Sequence, residues 1–245
     1  MPCFCPCRFV LGGATLRGDA TDQILKEAQE HQDMIILHDV TDSLLTLTRR
    51  TIKSFKFALK EFSFSYVLKC DDDTFVDLRR IASELQLRKN HKRLYWGFMI
   101  GNNGIILYIG AYKETEWSLC DTYLPYALGG GYLLSRDLIE LLVRNEPYLK
   151  HYKCEDVAVG VWLAPYNIER RHDSRFDTGS LPRGCKNVFL MSHKVGPEEM
   201  FAYYRSLQLE GQFCSWRTQW FYQNGYLYNW TALPSQCCLT QSGIP

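Results

Sequence analysis

No stretch of this chain approaches the roughly 20 apolar residues of a membrane span, and its first residues lack the apolar run of a secretory signal. Charge of either sign is not in excess: 28 Lys and Arg against 27 Asp and Glu leave a formal net charge of +1. The electrostatic footprint of a nucleic-acid binder is therefore missing, and no nucleic-acid partner is expected. Basic pairs such as Arg49-Arg50, Arg79-Arg80 and Lys92-Arg93 read as solvated helix faces and turns. Internal repeats and low-complexity linkers are absent. The spacing Cys3-Phe4-Cys5-Pro6-Cys7 is not the Cys-x₂-Cys of common zinc sites.

What is present is ample material for a core. A chain of 245 residues with 46% hydrophobic and 14% aromatic content fits one α/β domain, or a domain with an appendage. Ten cysteines, including Cys214 and the pair Cys237-Cys238, are many for a reducing compartment. The sequon Asn229-Trp230-Thr231 makes Asn229 a glycosylation candidate, and both signals predict passage through an oxidising lumen. Residues 1–210 are expected to form the main domain, and 211–245 an aromatic, cysteine-containing appendage packed on it.

The chain is organised around Tyr66-Val67-Leu68-Lys69-Cys70, an apolar strand that runs directly into Asp71-Asp72-Asp73. Adjacent carboxylates repel, strongly so in a partly dry cleft, and a divalent cation is the natural relief. Mg²⁺ or Mn²⁺ held by such oxygens keeps water and is shared with a substrate phosphate, which points to a diphosphate-bearing donor. A solvated acidic turn or a helix N-cap explains the triplet equally well on its own.

Hydrophobic spacing places the triplet in a fold. Phe9-Val10-Leu11 and Met34-Ile35-Ile36-Leu37 read as buried strands, with helices over Thr21 to Gln32 and over Ser43 to about Phe62. A further helical stripe follows the aspartates at Leu78, Ile81, Ala82 and Leu85. This β-α-β-α-β-α order predicts a mainly parallel sheet flanked by helices, with ligands beyond the carboxyl ends of the strands, where Asp71 to Asp73 sit. Tyr95 to Ile100 is another strand, and Ser135 is placed to cap a helix carrying Leu138, Leu141 and Leu142.

Three further groups carry candidate chemistry. Trp117, Tyr123, Tyr126 and Tyr132 surround Gly129-Gly130-Gly131; aromatic faces stack on sugars and glycines admit a ligand close to backbone, although core packing accounts for each aromatic singly. Glu155 and Asp156 open a helix, where acids satisfy the dipole, but an inverting transfer needs one such carboxylate as base. His193 ends a strand, as a surface imidazole or a metal ligand.

Taken together, several segments in order resemble glycosyltransferase family 31, the β-1,3-glycosyltransferases of the Golgi. They are Phe9 to Gly12, Asp39 to Thr51, Lys69 to Phe75, Tyr123 to Tyr126 with Gly129 to Tyr132, and Glu155-Asp156-Val157 with Gly160. The resemblance implies a GT-A (Rossmann-like) fold and inverting transfer from a UDP-sugar with Mn²⁺. It assigns the metal to Asp73 and His193, the ribose and donor sugar or a metal-bound water to Asp71 and Asp72, and the flanks of the nucleotide to Asp39 and Lys69. The glycines Gly129 to Gly131 fall in the donor site, and Trp117, Tyr123 and Tyr126 face the acceptor. Asp156 is the implied base, and Glu155 orients it or touches the acceptor. Narrower segments, among them Tyr95 to Phe98, Trp162 to Pro165, His172 to Thr178 and Pro234 to Cys238, resemble the branch that builds the proteoglycan linker. That branch implies UDP-galactose as donor, Galβ1-4Xyl on a proteoglycan core protein as acceptor, and the Golgi lumen as location. The family segment before the Phe-Val-Leu-Gly strand, with its anchor and stem, has no counterpart in this sequence. An N-terminally truncated domain lacking its first βα unit is therefore expected, and any membrane attachment would be through a missing anchor. Other UDP-sugar-dependent β-1,3-transferases, for instance an N-acetylglucosaminyltransferase, and an inactive fragment remain the alternatives.

Overall fold

The computed structural model describes residues 6–87, 92–101, 104–105, 110, 113–119 and 122–214. The Asn229 sequon, the Cys237-Cys238 pair and all of the expected appendage beyond residue 214 lie outside them. The chain begins with strand β1 (Phe9–Gly12), helix α1 (Asp19–His31) and strand β2 (Met34–Leu37), which pairs with β1 in parallel. Helix α2 (Leu47–Glu61) leads to β3 (Tyr66–Cys70), and the aspartates follow before the short strand β4 (Thr74–Val76) and helix α3 (Leu78–Leu87). Next come β5 (Leu94–Ile100), the two-residue strands β6 (Gly104–Ile105) and β7 (Thr122–Tyr123), and the long β8 (Tyr126–Ser135). Helices α4 (Arg136–Asn145) and α5 (Glu155–Leu163), strands β9 (Glu169–His172), β10 (Phe176–Asp177) and β11 (Met191–His193), and helix α6 (Pro197–Glu210) complete the described fold.

The central sheet has the order β3-β8-β5-β9. Its strands β3, β5 and β9 share one direction, and β8 runs against both β3 and β5. The α/β class and the shared strand direction agree with the sequence. The reversal of β8 is a refinement that periodicity cannot report, because alternation along a strand is the same in both directions. The reversal has a local consequence: the register Cys70 opposite Gly131 sets the glycine run beside the end of β3.

Alternate side chains of β5 divide the core. Tyr95 and Met99 pack with Tyr132 and Leu134 of β8 under α2, α4 and α5, whereas Leu94, Trp96 and Phe98 pack with Ile81, Phe176 and Met191 on the other face. Both faces are thus covered, as the near-continuous apolar sequence of β5 requires. Each of these fully buried side chains contributes roughly 1.5–3 kcal/mol relative to exposure. A third cluster joins Phe75, Tyr203 of α6 and Phe213, with ring centroids 5.4–5.5 Å apart, and the Cys185–Cys214 disulfide lies within it.

Several sequence expectations shift in detail. Leu25 of α1 and Leu45, ahead of α2, are exposed, and neither of the elements that carry them has a buried residue. Ser135 occupies the N-cap position of α4 without capping it: its Oγ accepts from the Leu94 amide and donates to Asp137. Helix α5 is buried almost all round, so its placement is set by packing rather than by one apolar face. Gly160 permits this, since a Cβ there would lie 2.5 Å from Tyr126 Cβ and 2.6 Å from the Pro125 carbonyl. Gly160→Ala is accordingly expected to cost about 1–3 kcal/mol, lowering the thermal midpoint by about 5 °C as measured by circular dichroism.

Candidate active site

Strand β3 delivers Lys69 and the three aspartates to the carboxyl end of the sheet, where β4 and β11 form an antiparallel pair with His193 opposite Thr74. Oxygens of Asp71 and Asp73 and a ring nitrogen of His193 lie within 4.8 Å of one another. His193 Nε2 is 3.0 Å from Asp73 Oδ1 and 3.5 Å from Asp71 Oδ2. The other ring nitrogen, Nδ1, is 2.8 Å from the Gly179 carbonyl, an acceptor, so Nδ1 carries the hydrogen. A metal-binding imidazole is commonly oriented in this way. Nε2 is buried and has no hydrogen-bond partner. This is the test a metal site should meet: an orphaned imidazole nitrogen facing two carboxylates suits a hard or borderline divalent cation such as Mn²⁺. Gly130 makes room for the ring, because a Cβ there would be 2.7 Å from His193 Cγ.

Asp73 is also held by Lys194, whose Nζ donates to Oδ2 at 2.9 Å. Partial burial would raise the carboxyl, but the hydrogen bond and the charge of Lys194 hold it below the usual carboxylate range. Asp72 is exposed at the turn, and Asp39, beyond the end of β2, is exposed and paired with Lys53.

Behind the triplet lies a buried charge cluster. Lys69 Nζ donates to Asp71 Oδ1 at 2.6 Å and to the Gly129 carbonyl at 2.7 Å, and it lies 3.4 Å from Glu155 Oε2. Burial would lower this ammonium, but Glu155 and Asp71 raise it above the ordinary lysine range, so it stays charged. Glu155 is buried and accepts a short hydrogen bond from the Tyr132 hydroxyl. Its neighbour Asp156 accepts the Gly129 amide hydrogen bond at 2.9 Å and the Val157 amide hydrogen bond at the start of α5. Desolvation and the Glu155 charge push Asp156 up to about 6, against the amides and Lys69, which lower it. A Cβ on Gly129 would lie 3.1 Å from Asp156 Oδ2, and one on Gly131 would lie 2.5 Å from Met191 Cε. The three glycines thus bring Asp156, His193 and Met191 up against one strand.

The aromatic candidates group separately. Tyr123 is buried, with Trp117 edge-on at 4.9 Å and Tyr126 at 6.2 Å. Tyr123 is thus enclosed by protein, while Trp117 and Tyr126 are half-buried. The Tyr126 hydroxyl is raised above its ordinary range by burial and by Asp156, and stays protonated. A cavity of about 740 Å³, bordered by Thr48, Arg49, Glu114, His151, Tyr152 and Lys153, adjoins this cluster through the contact of Trp117 with Tyr152. None of Asp71, Asp73 and His193 lines it. Sequence reasoning missed Lys194 and Tyr132 as partners of the site and the inclusion of Asp71 among possible metal ligands. For Lys194 a signal was present, since a basic residue directly follows the candidate histidine.

Comparison with known proteins places this geometry. Residues 5–174 match the family model described as Galactosyltransferase. The chain is 40% identical to a mouse protein named Beta-1,3-galactosyltransferase 6, over 97% of this chain and 73% of the relative. It is 32% identical to zebrafish UDP-GalNAc:beta-1,3-N-acetylgalactosaminyltransferase 2, over 66% of this chain and 32% of that one. Identity to a hydroxyproline O-galactosyltransferase of Arabidopsis thaliana is 29%, over 82% of this chain and 30% of the plant protein. The family model covers more than half of the sequence and spans the acid triplet, the glycine run and Asp156, so the chain belongs to the galactosyltransferase family, with the α/β fold of the GT-A type that the family implies.

Proposed function

We propose that this protein transfers galactose from UDP-galactose to the 3-hydroxyl of a β-linked galactose, with inversion, on the Galβ1-4Xyl unit of the proteoglycan linker in the Golgi lumen. The observation that carries the reading is Asp156. A carboxylate raised to about 6 stands at the start of α5, and one glycine of β8 links it through Lys69 to the Asp71, Asp73 and His193 group. A base with that affinity is ionised at neutral pH yet still accepts a proton from a hydroxyl whose acidity rises as it attacks. Asp156 takes the proton of the acceptor hydroxyl, and that oxygen attacks the anomeric carbon from the face opposite UDP. One displacement inverts an α-linked donor to a β-linked product, as in other single-displacement sugar chemistry.

Asp71, Asp73 and His193 would hold the Mn²⁺ ion, which supplies positive charge to a diphosphate leaving group when bound. Lys69 and Glu155 act as positioning residues: both are spent on contacts inside the protein, and they fix α5 against β3. Trp117 and Tyr126 are the proposed acceptor contacts, with Tyr126 close enough to Asp156 to feel its charge and Tyr123 bracing both aromatics. The Cys185–Cys214 bridge supports an oxidising compartment. The zebrafish relative's name carries a different sugar, so donor choice is decided by assay. Transfer and hydrolysis across UDP-galactose, UDP-GalNAc and UDP-GlcNAc should show a preference for UDP-galactose. Equal or greater use of another donor overturns the galactose reading, and absence of turnover with all three overturns the enzyme.

Two variants probe the residues. Asp156→Asn is expected to retain UDP binding by calorimetry while transfer falls about 10²- to 10⁴-fold. The parent's transfer rate should fall as pH drops through about 6, where Asp156 takes its proton. For stability the sign is opposite to that of an ordinary ion-paired carboxylate. Because the fold raises Asp156 from 3.8 to about 6, its stabilising contribution is complete below about pH 4 and is lost as pH rises through about 6. The Asn variant should therefore melt at or above the parent at pH 7 in differential scanning calorimetry. The second variant, Asp73→Asn, should abolish the Mn²⁺ dependence of UDP binding in the same calorimetric titration.

A further inference from the structure

Lys194 contacts the candidate metal group but has no part in the chemistry derived above. It directly follows His193, with its backbone in the left-handed region at φ 63°, which few non-glycine residues adopt. That turn lets the Val195 amide donate to the Asp73 carbonyl at 2.9 Å, and it lays the lysine side chain across the aspartate. The carboxylate is thereby divided between two partners: Oδ1 faces His193 Nε2 at 3.0 Å, and Oδ2 accepts from Lys194 Nζ at 2.9 Å. The pair is partly open to solvent, with side-chain exposures of 48% for Lys194 and 36% for Asp73.

Charge balance gives this arrangement a use. Two carboxylates already neutralise a divalent cation bound by Asp71 and Asp73, so a diphosphate arriving there adds negative charge that the cation alone does not offset. Lys69 is no help, because it is buried and shared among Asp71, Glu155 and the Gly129 carbonyl. Among the described residues, Lys194 is the other lysine in contact with the ligand trio, and it is solvent-facing. We infer that Lys194 is a donor-binding residue, a second positive charge fixed by Asp73 Oδ2 beside the cation site and set to engage the diphosphate of the nucleotide-sugar. The inference rests on the nucleotide-sugar reading proposed above. Its alternative is a plain counter-ion for Asp73, which would act on Asp73 alone and be indifferent to phosphate.

The test compares the parent, Lys194→Met and Lys194→Arg in three titrations: Mn²⁺ alone, UDP with saturating Mn²⁺, and uridine with saturating Mn²⁺. Calorimetry follows the first two, and saturation-transfer NMR follows uridine. Lys194→Met should bind Mn²⁺ alone as tightly as the parent or tighter, because a competing cation has left Asp73. Its affinity for UDP should fall at least tenfold while uridine binding is unchanged, and Lys194→Arg should recover most of the loss. Unchanged UDP affinity in Lys194→Met overturns the inference, and so does an equal loss for uridine and UDP, since neither depends on the diphosphate. A parent that fails to bind UDP with Mn²⁺ overturns the nucleotide-sugar reading itself, an outcome recognisable without any variant.

Discussion

A lysine ammonium enclosed by the core and held between acids from different elements fixes this site. Lys69 belongs to β3, yet its partners are Asp71 at the end of that strand, the Gly129 carbonyl of β8 and Glu155 of α5. Burying such a charge alone is costly, and removing one partner of a buried pair costs about 3–5 kcal/mol because the other is left uncompensated. The cluster therefore forms as a whole. Its consequence is positional: residues 71–73 and 155–156, far apart in sequence, are held one ammonium apart. Tyr132 closes the back of the cluster with its hydroxyl on Glu155 and its ring within 5.9 Å of the Lys69 ammonium.

The second constraint is steric. Strand β8 passes between β3 and β5 with three consecutive glycines where it meets the end of β3. Side chains at those positions would collide with Asp156, the His193 ring and Met191. Small residues there bring Asp156, the proposed base, from one element and the His193 imidazole from another onto the same strand. The Gly130 carbonyl accepts from Thr74 Oγ1 at 2.7 Å, which ties the turn of aspartates to the same strand. The glycine run is thus explained by the close approach of neighbouring groups, whether or not a ligand also comes near it.

Much of this was legible in the sequence, for identifiable reasons. A strand ending in carboxylates, helices marked by threefold and fourfold apolar steps, and an acidic start to α5 are local patterns, and each is present where periodicity put it. What depends on tertiary pairing was not legible. The reversed direction of β8 leaves no mark on alternation, and the serine at the head of α4 was drawn away from its cap by Leu94 and Asp137. Tyr123 reads the same whether its ring meets a sugar or the protein, and the fold buries it in a perpendicular contact with Trp117. His193 in isolation resembles a surface imidazole; only the fold shows its Nε2 enclosed and aimed at Asp71 and Asp73. The Cys185–Cys214 pairing likewise could not be chosen from ten cysteines by spacing.

The same burial that raises Asp156 toward neutrality is unfavourable to its ionised form, so the proton affinity proposed for the base comes at a cost in stability at neutral pH. The central proposal is that Asp71, Asp73 and His193 form one metal centre. Pulsed electron paramagnetic resonance of the protein loaded with stoichiometric Mn²⁺ tests it directly, because a coordinated imidazole nitrogen modulates the echo of the ion. The account predicts nitrogen modulation from a single histidine, present in the parent and absent in His193→Gln. Mn²⁺ bound with oxygen ligands alone, or nitrogen modulation that survives the substitution, would contradict it.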